Sequence, residues 1–214
     1  MRKLQLIGFV LIFLLVACSG ESVANKMYNH LEETVTIEKT FVEQQEPFMK
    51  LEQEEQELYN QIIELSADEM DKVTSLSEQA ITTVEERKEL LKTELEAMDA
   101  AEQEFLNVKE SVSELEEEQK NIANELIQTM ESRYDTYQQL NEAFHTSLDQ
   151  DKVLYELFMD KELTEEDLRA QIDKVNTSYD KVTELNNQFN ELTDQYNQLK
   201  EDFYESTELN VVYE

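Results

Sequence analysis

The chain has 214 residues, 50 acidic and 18 basic, with two glycines, one proline, one cysteine and no tryptophan. Gly8 and Gly20 cannot between them build a phosphate-cradling loop or a dinucleotide fold, Pro47 alone cannot punctuate a many-stranded β protein, and Cys18 alone excludes an internal disulfide or a cysteine-based metal cluster. A formal charge of −32 argues against direct nucleic-acid binding and leaves a long helical protein as the reading.

The N-terminus reads as an export signal. Arg2 and Lys3 precede a mostly apolar run from Leu4 to Val16. That run is shorter than the roughly 17–25 residues of a permanent spanning helix. Leu15-Val16-Ala17-Cys18 follows and resembles the bacterial lipobox, with small Ala17 just before the cleavage point. Residues 1–17 are therefore expected to be a removable signal peptide, with Leu15, Val16 and Ala17 forming the signal-peptidase recognition site. Cys18 is the expected lipid-attachment residue, and residues 18–22 form the tether. A diacylglyceryl group on the Cys18 thiol brings two acyl chains, the two hydrophobic signals that stable anchoring needs. The mature chain is then placed at the outer face of the cytoplasmic membrane. Lacking a further cysteine, it needs no oxidant to fold.

Three long helices are predicted beyond the tether. The first spans about 22–65, on Tyr28, Leu31, Val35, Val42, Met49, Leu58, Ile62 and Leu65, and Pro47 should bend or break it. The second starts at a Ser66–Glu69 capping signal and runs over about 68–147. Its seam is Phe105, Val108, Val112, Leu115, Gln119, Ile122, Leu126, Thr129, Arg133, Tyr137, Leu140 and Phe144, with a looser extension upstream through Ala80, Val84, Leu91, Leu95 and Met98. Ser147–Asp151 is a cluster of turn-tolerant residues, and a short helix over about 150–160 is expected to follow. The third helix, about 165–206, starts at Thr164 with Asp167 three residues on. Its apolar residues from Leu168 to Phe203 recur every 3.5 residues on average, a coiled-coil period. Residues 207–214 fall out of period and read as a loose tail.

One apolar stripe cannot bury itself. The expected fold is all-α: an elongated antiparallel three-helix bundle or coiled coil, spanning 23–206, whose long middle helix is shared by the other two. Polar residues on the seam, such as Gln119, Thr129 and Arg133, would cost stability and fix register.

Several short strings, in their order and spacing, resemble the YkyA-type cell-wall-binding lipoproteins of Gram-positive bacteria. They include the lipobox, Glu43-Gln44-Gln45-Glu46-Pro47, Glu57-Leu58-Tyr59, Met130-Glu131-Ser132-Arg133-Tyr134, Asp160-Lys161-Glu162-Leu163-Thr164 and Lys174-Val175-Asn176-Thr177-Ser178-Tyr179. The resemblance implies a helical-bundle lipoprotein at the outer face of the membrane that binds cell wall. It brings no catalytic residue set with it.

Function at this stage is expected to be non-enzymatic and without cofactor or metal. His30 and His145 sit on different helices outside any metal-ligand frame, and a zinc site needs three or four convergent ligands. The acidic runs Glu52–Glu57 and Glu114–Glu118 lack the Asp- and Gly-bearing loop of a dedicated calcium site and read as solvated faces. Tyrosines accompanied by asparagines suit sugar rings, so Tyr134, Asn176, Asn190 and Tyr204 are candidate glycan contacts. Tyr137, Tyr179 and Tyr196 lie on the seam and read as core. The partners expected are the membrane, through lipidated Cys18, and peptidoglycan or another wall polymer. The alternative is a membrane-tethered adaptor that docks another envelope protein through an exposed helical stripe.

Overall fold

A computed structural model describes residues 22–207 and Leu209. The signal peptide, Leu15–Ala17, Cys18 and most of the expected tail lie outside the described residues. Four helices of nearly equal length follow one another: α1 (Val23–Ile63), α2 (Met70–Ser111), α3 (Glu117–Phe158) and α4 (Glu165–Glu205). Each is 41 or 42 residues long, about 60 Å at 1.5 Å per residue. Consecutive helices pack against each other, α1 on α2, α2 on α3 and α3 on α4, in an elongated up-and-down array. No strand occurs among the described residues.

This corrects the expected three-helix bundle and simple coiled coil. The middle helix is two helices, because the chain turns at Val112–Glu116. The apolar period had run unbroken across that point for a physical reason. Val112–Glu114 is a single 3₁₀ turn, and Val112 and Leu115 are three residues apart in it. Both side chains are buried in the core from inside the turn and so imitate a continuing helical stripe. No glycine marks the turn because no described residue has positive φ; Glu116, extended at ψ 157°, reverses the chain instead. Conversely, no break occurs at Ser147–Asp151. Ser147 and Asp151 are buried polar residues inside α3, so the expected short helix is the last part of α3.

The helix starts have local causes. Ser22 Oγ accepts the Asn25 amide, and Thr164 Oγ1 accepts the Asp167 amide, both at 3.2 Å. Ser66 and Glu69 close a capping box, with the Ser66 amide donating to Glu69 Oε2 at 3.3 Å. Pro47 stands inside α1 on its exposed side, and the helix continues through it.

Two apolar clusters make the core. The larger lies toward the base, where Met27 and Leu31 of α1, Phe105 and Val108 of α2, Met130 and Tyr137 of α3, and Phe189 and Phe203 of α4 meet. Partly buried Leu209 packs against it. The smaller lies toward the other end, around Phe48, Leu58, Ile62, Val84, Leu91, Leu148 and Tyr155. In α1 the inward stripe is Met27, Leu31, Thr34, Phe48, Glu55, Leu58 and Ile62. Val42 and Met49, expected on the core side, are 62% and 59% exposed.

Candidate functional site: the open seam between α1 and α4

The array does not close evenly. At its base α1 and α4 touch through side chains: the Tyr204 hydroxyl donates to Glu32 Oε1 at 2.8 Å, Lys200 Nζ lies 3.3 Å from the same oxygen, and Phe41 meets Phe189 edge to face at 6.0 Å. Their backbones scarcely approach each other anywhere. Two clefts lie in line along this seam, a proximal one of about 450 Å³ and a distal one of about 400 Å³. From Val35 to Tyr59 of α1, which line their outer ends, the seam runs about 36 Å at the helical rise.

The sequence of α1 explains the opening. The side facing α4 repeats as Val35, Glu38, Val42, Gln45, Met49, Glu52, Gln56 and Tyr59, in alternating steps of three and four. Polar residues at Glu38, Gln45, Glu52 and Gln56 deny α4 a continuous apolar strip to close on. The facing side of α4 has the same period: Asn176, Tyr179, Thr183, Asn186, Asn190, Thr193, Asn197 and Lys200. In a chain with 50 acidic residues this stripe contains none. Asn176, Asn186, Asn190 and Asn197 all line the clefts.

Beneath each cleft lies a polar network. In the proximal one, Arg133 of α3 holds Glu38 of α1 bidentately, with Nη1 to Oε1 at 2.7 Å and Nη2 to Oε2 at 3.0 Å. Its Nε donates to Thr193 Oγ1 of α4 at 2.8 Å, and the guanidinium stacks 4.7 Å from the Phe189 ring centroid. Glu94 of α2 sits alongside. Gln45 Nε2 and the Tyr137 hydroxyl donate to its two oxygens at 2.8 and 2.9 Å. With no cation beside it, burial pushes the Glu94 carboxyl up to about 7. The Tyr196 hydroxyl, buried in the lining of this cleft, has no hydrogen-bond partner among the described residues.

In the distal cleft each helix contributes one member. Arg87 Nη1 of α2 donates to Glu55 Oε2 of α1 at 2.6 Å, and the Tyr179 hydroxyl of α4 donates to Asp151 Oδ2 of α3 at 2.6 Å. Arg87 Nη1 also lies 3.5 Å from the Tyr179 hydroxyl, and the guanidinium stacks 4.6 Å from the Phe48 centroid. Burial, followed by the negative charge of Glu55, pushes Asp151 up to about 7. Burial also raises Glu55, against the pull of Arg87.

The sequence-derived candidates fall on both sides of this surface. Asn176 and Asn190 are exposed on the cleft walls. Tyr134 and Tyr204 are buried beneath, their hydroxyls donating to Glu38 at 3.3 Å and Glu32 at 2.8 Å. Arg133, expected to set register, ties three helices together. His30 pairs with Glu104 across α1 and α2 at 2.5 Å, and among the described residues no group of three His, Cys, Asp or Glu could hold a metal ion. Glu55, within the acidic run expected to be a solvated face, and Asp151, within the expected turn, are instead buried, and Arg87 and Glu94 are not among the sequence-derived candidates. A signal existed: Ala80, Val84, Arg87, Leu91, Glu94, Met98, Ala101 and Phe105 step by four and three, which puts Arg87 and Glu94 on the buried stripe seven residues apart.

Residues 22–206 match the family model of YkyA, described as "Putative cell-wall binding lipoprotein". The chain belongs to the YkyA family. The uncharacterized lipoprotein YkyA of Bacillus subtilis (strain 168) is 35% identical over 199 residues, which cover 92% of this chain and 89% of that protein. A crystal structure of a conserved protein of unknown function from Staphylococcus aureus shares the fold, with a TM-score of 0.61 at 12% identity, over 87% of this chain and 98% of that one. The protein is thus an all-helical member of a lipoprotein family described by its binding to cell wall.

Proposed function

We propose that this YkyA-family protein is a wall-binding lipoprotein of the outer membrane face, and that the α1–α4 seam is its contact surface. The open seam carries the reading: two clefts in line over about 36 Å with polar walls suit an extended polymer better than a compact ligand. Asn176 and Asn190 would touch the polymer directly, while Tyr134 and Tyr204 would shape the slot through Glu38 and Glu32. Signal peptidase would recognise Leu15–Ala17, and Cys18 would carry the lipid. Ser22, the α1 cap, stands only four positions after Cys18, so the base of the array would lie within about 14 Å of the anchor. The test is co-sedimentation of detergent-solubilised full-length protein with purified cell wall at physiological salt and millimolar Mg²⁺. Retention on the wall supports the proposal, and protein left in the supernatant refutes it. Cys18→Ala should release the protein from the membrane fraction, and unchanged fractionation would remove the anchor from the proposal.

The adaptor reading has one observation in its favour. Val42, Met49 and Ile63 are exposed on one side of α1. Gln45, Glu46, Glu52 and Gln56 interrupt that row, so it offers a docking helix no continuous apolar patch. In-cell crosslinking that recovers one envelope protein through α1 would favour this second reading.

A further inference from the structure

We propose that the seam selects the uncharged, acetamido-bearing sugar backbone of a wall polymer over its anionic parts. This deepens the wall-binding reading and rests on it. The argument starts from charge. The chain carries −32 overall, and the clefts themselves hold Glu38, Glu52, Glu55, Glu94 and Asp151 against only Arg87, Arg133 and Lys200, each of which already lies beside a glutamate. A phosphate- or carboxylate-rich polymer would meet repulsion along the whole length of the slot. A neutral strand would not.

The walls supply what a neutral sugar needs. On the α4 side, Asn176, Asn186, Asn190 and Asn197 are exposed and their amides make no side-chain hydrogen bond within the described chain, leaving donors and acceptors for hydroxyl, N–H and C=O groups. On the α1 side, Val42 lines the proximal cleft and Met49 follows one heptad on, both more than half exposed. A pyranose ring has one apolar C–H face and polar edges, and an acetamido group adds a methyl beside an amide. A strand lying in the slot would rest its apolar faces and methyls on the α1 wall and turn its polar edges to the α4 asparagines.

The test uses detergent-solubilised full-length protein and three probes in calorimetric titration or co-sedimentation: N-acetylglucosamine hexamer, poly(glycerol phosphate) and whole purified wall. The inference expects binding of wall and hexamer and none of poly(glycerol phosphate). Asn186→Asp with Asn190→Asp removes two amide donors at exposed positions and should weaken hexamer binding about tenfold. Met49→Gln should weaken it about threefold by removing apolar contact. Circular dichroism melts of these exposed-site variants should match the parent. Binding of wall without the hexamer, or of poly(glycerol phosphate) in its place, overturns this inference and leaves the wall-binding reading standing. Binding of neither wall nor hexamer overturns both. Unchanged hexamer affinity in all variants moves the site off the seam.

Discussion

At the scale of single residues, Glu94, Asp151 and Arg133 show how much a buried polar group depends on its neighbours. Glu94 faces Gln45 and Tyr137, and Asp151 faces Tyr179, with Glu55, Arg87 and Glu52 contributing charge. Both carboxyls are pushed up to about 7 in the fold, from 4.5 and 3.8. A folded-state value above the unfolded one means that the folded chain holds the proton more tightly. The stability they contribute is therefore complete below their unfolded values and is lost as pH rises through about 7. Thermal melts should fall between pH 5 and pH 8. Glu94→Gln should flatten that slope and raise stability at pH 8 by about 2 kcal/mol. Arg133 works in the opposite sense, since removing it strands the largely buried Glu38. Arg133→Ala should cost about 3 kcal/mol in chemical denaturation, and Arg133→Met with Glu38→Leu should recover most of it. The glutamate that titrates in the fold is one of 50 acidic residues, and its composition alone does not distinguish it. Its place on the Ala80–Phe105 stripe does. The neighbouring Leu95, taken as the stripe residue, masks Glu94 and its place in the proximal network.

At the scale of elements, period is a sound guide to helices and a poor guide to where they stop. The 3₁₀ turn at Val112–Glu114 keeps a three-residue spacing and buries Val112 and Leu115, so hydrophobic spacing passes through a chain reversal unmarked. Serine and aspartate at 147 and 151 suggested a turn because they are common in turns. Within α3, Ser147 instead donates to the Ala143 carbonyl at 3.1 Å and Asp151 accepts from Tyr179, which settles both residues in a helix. The same turn leaves a weakness. Glu116 is the N-cap of α3 and makes no side-chain capping bond, unlike Ser22 and Thr164. Glu116→Ser should raise stability by about 1 kcal/mol, measured as a shift in the denaturant midpoint at unchanged slope. Pro47 lies in the exposed face of α1, where the lost donor falls toward water, and so the helix survives a residue that should have bent or broken it.

At the scale of the whole molecule, a chain with a net charge of −32 is drawn out into four thin helices with an extended surface. Like charges distributed over an array about 60 Å long repel within the folded state, and screening relieves them. Melting temperature should rise between 10 mM and 150 mM NaCl, and a melt indifferent to salt would show that the charges are already balanced locally. The array closes on three sides and stays open on the fourth. That asymmetry leaves two clefts in line along the α1–α4 seam, lined on α4 by amides and hydroxyls and on α1 by alternating apolar and polar residues.

Composition and spacing by themselves determined the all-helical class and the asparagine-rich character of the last helix, because each rests on local chemistry that travels with the chain. Helix number, the inward side of α1 and the open seam did not follow from local pattern. Val42 and Leu58 both stand on the expected apolar side of α1, and the partners that helices find in three dimensions decided that Leu58 lost water and Val42 did not. The same holds for the networks of Arg87 and Arg133, whose members lie 32 and 95 residues away in sequence and acquire their roles only when the helices bring them together.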